Sequence, residues 1–222
     1  KCPHNSKVLF ISNHFKPLYY VNPMEKLMVS YRNKKENIKK RLNNFKDLNE
    51  KEQFKEMLFC LLTPQSNAKK CWIAVKEISA LKEWNKKEII NILRTKTRFH
   101  NNKTTYILQA KKTWRFIKKK LDMENKKELR NFIAKSVKGY GLKEASHFLR
   151  NIGRSNNEIA ILDRHILRNL KESGMIETEK IMGRKDYLEI EQKFLDFSTK
   201  IGIPIDELDL LFWSKENGEI FK

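Results

Sequence analysis

The chain has 222 residues, of which 47 are Lys or Arg and 27 are Asp or Glu, giving a net charge of +20. Its three cysteines, Cys2, Cys60 and Cys71, are too few for a disulfide framework or a Cys-rich metal site, and no stretch approaches the 18 apolar residues of a membrane span. The excess of positive charge favours a polyanionic partner such as nucleic acid.

The first 23 residues differ in composition from the rest of the chain. They contain no Asp or Glu and show no clean helical period, and they lack the apolar core and cleavage site of a signal peptide. A well-patterned helix begins immediately afterwards, at Met24. We therefore expect residues 1–23 to be a leader that is dispensable or a product of start-site choice.

Apolar residues then recur at helical spacing through the chain, and the alternation typical of strands is nearly absent. Cys60 lies in one of the apolar runs, where a buried structural thiol is expected. The segment 186–222 holds nine acidic and four basic residues, so the positive charge belongs to the earlier segments. The pattern predicts an all-α protein with helices at 24–46, 50–62, 67–80, 86–94, 102–120, 126–137, 142–152, 163–173, 185–201 and 206–215.

The stretch 126–153, KKELRNFIAKSVKGYGLKEASHFLRNIG, contains two of these helices joined by Gly139-Tyr140-Gly141. Paired glycines permit a turn with positive φ, and the first N–H groups of the following helix suit a phosphate. A tight helical hairpin also needs glycine for structural reasons, so this feature alone is weak evidence. Lys143 falls in the first turn of the second helix, where the helix dipole disfavours a cation. This placement invites a functional explanation.

Asp163 follows the apolar run 159–162, twenty residues after Lys143, and begins the next helix. Aspartate at such a position is a natural N-cap. A carboxylate facing a lysine is also the arrangement of a nucleophile and its partner acid. The two roles are compatible.

The hairpin lysine followed by the aspartate resembles the helix-hairpin-helix DNA glycosylase superfamily. Within it, GYGLKEASHFLRN, ILDRHIL and ELDLLFWSKENGEIFK are similar to the type-2 8-oxoguanine DNA glycosylase/lyases, and the resemblance covers residues 24–222. It implies a two-lobed all-α fold with the active site between the lobes and the hairpin motif at about 126–153. It also implies a bifunctional base-excision repair enzyme that removes 8-oxoguanine and cleaves the strand 3′ to the abasic site by β-elimination.

The resemblance also implies residue roles. Lys143 corresponds to the nucleophile that forms a Schiff base, and Asp163 to the carboxylate that assists departure of the base. The expected base-binding residues are an aromatic pair that sandwiches the flipped base, Phe99 and Trp213, and two residues that make polar contacts with it, Asp209 and Lys222.

DNA contacts are implied in the same way. His165, two residues beyond the aspartate, matches a phosphate contact. The stretch 63–67 stands where the family fills the gap left by the flipped base, although Asn67 is equally well explained as a helix N-cap. The expected DNA-binding residues are Gly139, Gly141, Arg164, His165, Gln65 and Asn67.

The cysteine spacing of the iron–sulfur members is missing, so no cofactor and no catalytic metal are expected, while a monovalent cation on the hairpin stays open. The expected partner is double-stranded DNA containing 8-oxoguanine, bound by a monomer in the cytoplasm and thereby associated with the nucleoid. Opposite-base preference is open. Three alternatives are a glycosylase for another damaged base, a non-catalytic helix-hairpin-helix DNA-binding protein and a basic helical RNA-binding protein.

Overall fold

The computed structural model describes residues 23–222, and within this range all regular secondary structure is α-helical. The predicted all-α class is confirmed. The leader expected over residues 1–23 lies outside the described part of the chain, apart from the first residue of α1. No helix in the described range is long and apolar enough to cross a membrane. In chain order the helices are α1 (Pro23–Lys46), α2 (Glu50–Leu62), α3 (Ala68–Ala80), α4 (Lys86–Arg94), α5 (His100–Lys118), α6 (Lys126–Ser136), α7 (Leu142–Asn151), α8 (Arg164–Glu172), α9 (Arg184–Ile201) and α10 (Ile205–Asn217).

Asparagine side chains cap the starts of four helices. Asn49, Asn67, Asn85 and Asn125 each accept a hydrogen bond from the backbone N–H three residues later, at 2.9 to 3.1 Å. A cap of this kind stabilises a helix by about 1 kcal/mol. Every helix except α5 begins within one residue of its predicted start. Helix α5 begins two residues early, directly after Phe99, which adopts a left-handed conformation.

Two hydrophobic cores divide the molecule into two lobes. The hairpin lobe consists of α2–α7 and buries large aromatic side chains such as Phe59 and Phe148. The C-terminal lobe consists of α8–α10 together with α1, which packs along α10. Tyr31 of α1 donates its hydroxyl to Glu207 of α10 at 2.6 Å. The first described helix therefore belongs to the lobe that the last three helices build.

Charged side chains from different parts of the fold meet in the interior. Arg130 of α6 pairs with Glu191 of α9, and both side chains are almost completely buried. Lys222, the last residue, pairs with Glu56 of α2, whose other carboxylate oxygen accepts the Asn151 side-chain amide at 2.9 Å. Removing one partner of a buried pair costs about 3–5 kcal/mol. These pairs hold the lobes in a fixed register.

Candidate active site

A cleft of about 950 Å³ lies between the lobes. Its walls come from the loop after α2 and from α7 on one side, and from residues 161–165, α10 and the final residues on the other. Nine of the twelve predicted site residues line it: Lys143, Asp163, Trp213, Asp209, Lys222, Arg164, His165, Gln65 and Asn67.

Lys143 is the second residue of α7, directly after the hairpin turn. Its side chain is 25% exposed, and its Nζ lies 3.3 Å from Oε1 of Glu144. The other oxygen of Glu144 accepts the backbone N–H of Gly141 at 3.0 Å. One carboxylate therefore occupies the helix N-terminus and offsets a lysine charge that the helix dipole disfavours.

The hairpin turn requires glycine at one position. Gly139 has a φ of +92°, and a Cβ on it would lie 2.5 Å from the ring of Tyr106 in α5. The neighbouring Tyr140 is buried and donates its hydroxyl to the carbonyl oxygen of Met57 at 2.7 Å. The turn is thus packed firmly onto the hairpin lobe. Gly139 borders a neighbouring groove, and Gly141 borders neither that groove nor the cleft.

Asp163 reaches the cleft from the opposite lobe. It is the N-cap of α8, and its Oδ1 accepts the backbone N–H groups of His165 and Ile166 at 2.8 and 2.9 Å. The capping role expected from the sequence is confirmed. Both capping bonds are accepted by Oδ1, so neither of them involves Oδ2.

Sequence reasoning missed Arg150, which forms the polar end of the cleft with Asp209. The two groups are 2.9 Å apart and nearly fully buried. Burial raises the pKa of Asp209 to about 7; Arg150 opposes the rise, and the charges of Asp163 and Asp206 add to it. The Asp209 carboxyl therefore changes its protonation state close to neutral pH.

His147 is a second residue of the cleft that sequence reasoning missed. Burial lowers the pKa of His147 well below its usual value, and the cations of Arg150, Lys143 and Lys222 lower it further. The imidazole is therefore neutral at physiological pH. Lys143, His147 and Arg150 are spaced by four and three residues, so they share one face of α7. From the sequence alone, this helical spacing could have indicated that His147 and Arg150 lie beside Lys143.

Trp213 and Lys222 lie at the C-terminal side of the cleft. Trp213 is partly exposed, and its ring centroid is 6.4 Å from that of Phe221. The ammonium of Lys222 is bound to Glu56 and lies 3.4 Å from the centroid of the Trp72 ring. From the sequence, Lys222 is expected to make a polar contact with the base. In the structure its ammonium is already bound inside the protein.

The structure does not bring Phe99 to Trp213. Phe99 has a φ of 57°, is 53% exposed and carries the Arg98 guanidinium 5.5 Å from its ring centroid. It lines a separate groove of about 220 Å³ together with Gln65 and Gly139. Because Gln65 borders both spaces, the groove adjoins the cleft. Phe99 is not among the residues that line the cleft, so the expected aromatic pair does not face across it.

The remaining predicted DNA contacts lie at the mouth of the cleft. Arg164 is exposed, and His165 is half-buried beside it. Asn67 caps α3 by accepting the Lys70 N–H at 3.0 Å, as the alternative interpretation of this residue expected. Its side-chain oxygen is used for the cap, while the amide NH₂ group of the same side chain is a donor.

Two helical lobes around a cleft that holds a hairpin lysine and a capping aspartate define the helix-hairpin-helix class of DNA glycosylases. The family model for 8-oxoguanine DNA glycosylase matches residues 38–203. The chain belongs to this family.

Relatives match over nearly their whole length. An 8-oxoguanine DNA glycosylase/AP lyase of Fusobacterium nucleatum is 41% identical over 217 residues, which cover 91% of this chain and 98% of the relative. The protein of the same name from Methanocaldococcus jannaschii is 37% identical, covering 85% and 93%. A crystal structure of the M. jannaschii 8-oxoguanine glycosylase/lyase in complex with a 15mer DNA containing 8-oxoguanine superimposes with a TM-score of 0.80 at 34% identity, covering 89% and 98%.

Proposed function

We propose that this chain is a base-excision repair enzyme that removes 8-oxoguanine from DNA and cleaves the strand at the abasic site it creates. The relatives carry that name, and one similar structure holds DNA with 8-oxoguanine. The observation that carries the proposal is the convergence of Lys143 and Asp163, from different lobes, on one cleft.

A base stacked in duplex DNA is out of reach of this cleft, so the nucleotide has to be extruded. Trp213 offers a partly exposed aromatic face, and stacking a base on such a face is worth about 1–3 kcal/mol. Phe99 can supply a second face only if its ring leaves the groove when DNA binds. Asp209 and Arg150 provide polar groups at the end of the cleft, where a carboxyl with a pKa of about 7 can accept or donate a hydrogen bond.

The chemistry divides between the lysine and the aspartate. The neutral amine of Lys143 attacks C1′, and the bond from C1′ to N9 breaks with its electron pair leaving on the base. Oδ2 of Asp163 stabilises the positive charge that develops on the sugar. The nitrogen bound to C1′ then gives one proton to the departing base. Its lone pair forms the C1′=N double bond as the C1′–O4′ bond breaks and O4′ takes up a proton from water, which gives a protonated Schiff base. Water removes a C2′ proton, and the C3′–O3′ bond breaks with its electron pair leaving on the 3′ phosphate, so one lysine serves both the glycosylase and the lyase steps.

The DNA backbone is proposed to lie along the hairpin and across Arg164 and His165. A basic chain that neutralises several phosphates releases counterions, so its affinity for DNA falls steeply with salt. One chain supplies all the cleft residues named above, which supports a monomer. Cys60 and Cys71 are free and buried, in keeping with the reducing cytoplasm as the site of action.

The direct test combines a panel of duplexes, each with a single lesion, and borohydride trapping. The wild-type protein should excise 8-oxoguanine in preference to oxidised pyrimidines and should be trapped covalently on the DNA. Lys143→Gln should abolish trapping while DNA binding is kept. Lys138→Gln, which changes an exposed lysine of the same hairpin, is the matched control and should still be trapped when the DNA is saturating. Binding without excision of any lesion would instead support a non-catalytic DNA-binding protein.

A further inference from the structure

Lys103, in the first turn of α5, is buried with only 4% of its surface exposed. Its Nζ donates to the carbonyl oxygen of Leu62 at 2.7 Å, to the carbonyl oxygen of Pro64 at 2.9 Å and to Oγ of Ser66 at 3.0 Å. An ammonium group has three N–H donors. All three are matched by acceptors in the turn between α2 and α3.

The same network reaches the turn before α5. Oγ of Ser66, which accepts from Lys103, also accepts the backbone N–H of Arg98 at 3.0 Å. The carbonyl oxygen of Leu62 accepts the Cys71 thiol at 3.3 Å. One buried cation therefore joins the end of α2, the 63–67 turn and the residue that precedes Phe99.

Both turns hold a bulky residue in the left-handed region. Gln65, between two of the acceptors of Lys103, has a φ of 54°, and Phe99, next to Arg98, has a φ of 57°. This conformation costs free energy for residues other than glycine and persists only where neighbouring contacts enforce it. Gln65, Phe99 and Lys103 line the same groove. The lysine network supplies the contacts that enforce both turns.

The charge state of Lys103 suits this role. Burial lowers the pKa of Lys103 to about 8; the Cys71 thiol opposes this, and the charges of Lys143 and Arg98 lower it further. At neutral pH the group still carries all three protons. No carboxylate is among the hydrogen-bond acceptors described for its Nζ. The cation is stabilised by two carbonyl oxygens and one hydroxyl oxygen, and its three bonds hold those oxygens in place.

We propose that Lys103 is a positioning residue for DNA recognition, which holds Gln65 and Phe99 in the shape that meets the duplex beside the lesion and so sets the response to the base opposite 8-oxoguanine. The inference rests on the proposed function. Lys103 takes no part in the covalent steps, because its three donors are bound to the loop.

The first experiment avoids catalysis. Wild-type and Lys103→Met proteins are saturated with a duplex that carries a tetrahydrofuran abasic analogue opposite 2-aminopurine, whose fluorescence reports how the loops disturb the opposite base. Lys103→Met should reduce the fluorescence change by about fivefold or more, as expected when buried carbonyl groups lose their donors. Lys126→Met is the matched control, because Lys126 is also a buried lysine bound to a carbonyl oxygen, that of Met123, away from the cleft. It should behave as wild type.

The second experiment measures 8-oxoguanine excision opposite C and opposite A, together with cleavage of abasic sites in single-stranded DNA. Lys103→Met should change the C-to-A ratio while single-strand cleavage stays close to wild type. Ser66→Ala, which removes one acceptor, should shift both measures in the same direction by less, and it serves if Lys103→Met does not fold. Wild-type fluorescence and an unchanged ratio in the folded variants would overturn the proposal. A wild-type protein that excises no 8-oxoguanine would overturn the proposed function. The fluorescence measurement needs no excision, so it would still test whether Lys103 positions the two turns on DNA.

Discussion

In the cleft, Lys143 and Asp163 stand at the starts of regular helices whose caps follow ordinary rules. In the groove beside it, Gln65 and Phe99 adopt left-handed conformations, and the buried Lys103 donates to the residues on both sides of Gln65. The groups proposed for chemistry therefore rest on helix ends that local sequence determines, whereas those proposed for DNA recognition rest on turns that tertiary contacts determine. Substitutions in the two regions should accordingly fail in different ways.

The largest effect is expected from Asp163→Asn in the cleft. Asparagine caps helices about as well as aspartate, so thermal stability should change little. Loss of the charge should lower 8-oxoguanine excision by about two orders of magnitude or more. Single-turnover excision and a thermal melt of the same preparation check this. If the variant unfolds in proportion to its loss of activity, Asp163 is only a cap.

Comparing Trp213→Ala with Phe99→Ala sharpens the contrast between the regions. Trp213 lines the cleft, so its removal should weaken base capture by about 1–3 kcal/mol, while cleavage of pre-formed abasic sites suffers less. Phe99→Ala should lower 8-oxoguanine excision less than Trp213→Ala does, because the Phe99 ring lies in the groove. Equal losses would mean that Phe99 moves into the cleft with DNA, and the cleft and the groove would then not act as separate regions.

The raised pKa of Asp209 gives the cleft a pH signature. The folded carboxyl keeps its proton up to about pH 7, whereas an unperturbed one loses it near 3.8. The folded state therefore binds more protons between these values, and the contribution of Asp209 to stability falls as pH rises through this window. In Asp209→Asn, the free energy of unfolding should no longer show this decline with rising pH, which is on the order of a few kcal/mol in the wild type. Parallel stability curves for wild type and variant would contradict the assignment.

A smaller effect is expected at Asn67, which lines the cleft two residues after Gln65. Asn67→Asp keeps a good N-cap but replaces an amide donor with a negative charge that faces the proposed DNA path. Duplex affinity should fall a few-fold at low salt, and stability should hold. Asn125→Asp, at the cap of α6 with the same capping bond, is the control. If both variants bind DNA equally well, Asn67 is a cap alone.

Local signals explain what the sequence predicted. Apolar periodicity placed the helices, and Lys143 and Asp163 were singled out because a glycine hairpin and a helix cap are visible as short local patterns in the sequence. The position of Phe99 could not be predicted, since its turn is bound through the Arg98 N–H to Oγ of Ser66, 32 residues earlier in the chain. The sequence places Arg150 on the same helix face as Lys143. Its pairing with Asp209 depends on how the two lobes pack together, which helical periodicity does not predict.

The identity of the nucleophile tests the proposed mechanism most directly. Peptide mapping by mass spectrometry of the borohydride-trapped complex, formed on a duplex with one 8-oxoguanine, locates the covalent sugar fragment on a single side chain. We predict that the adduct lies on Lys143. An adduct on Lys103, Lys138 or Lys222, with Lys143 unmodified, would contradict the account.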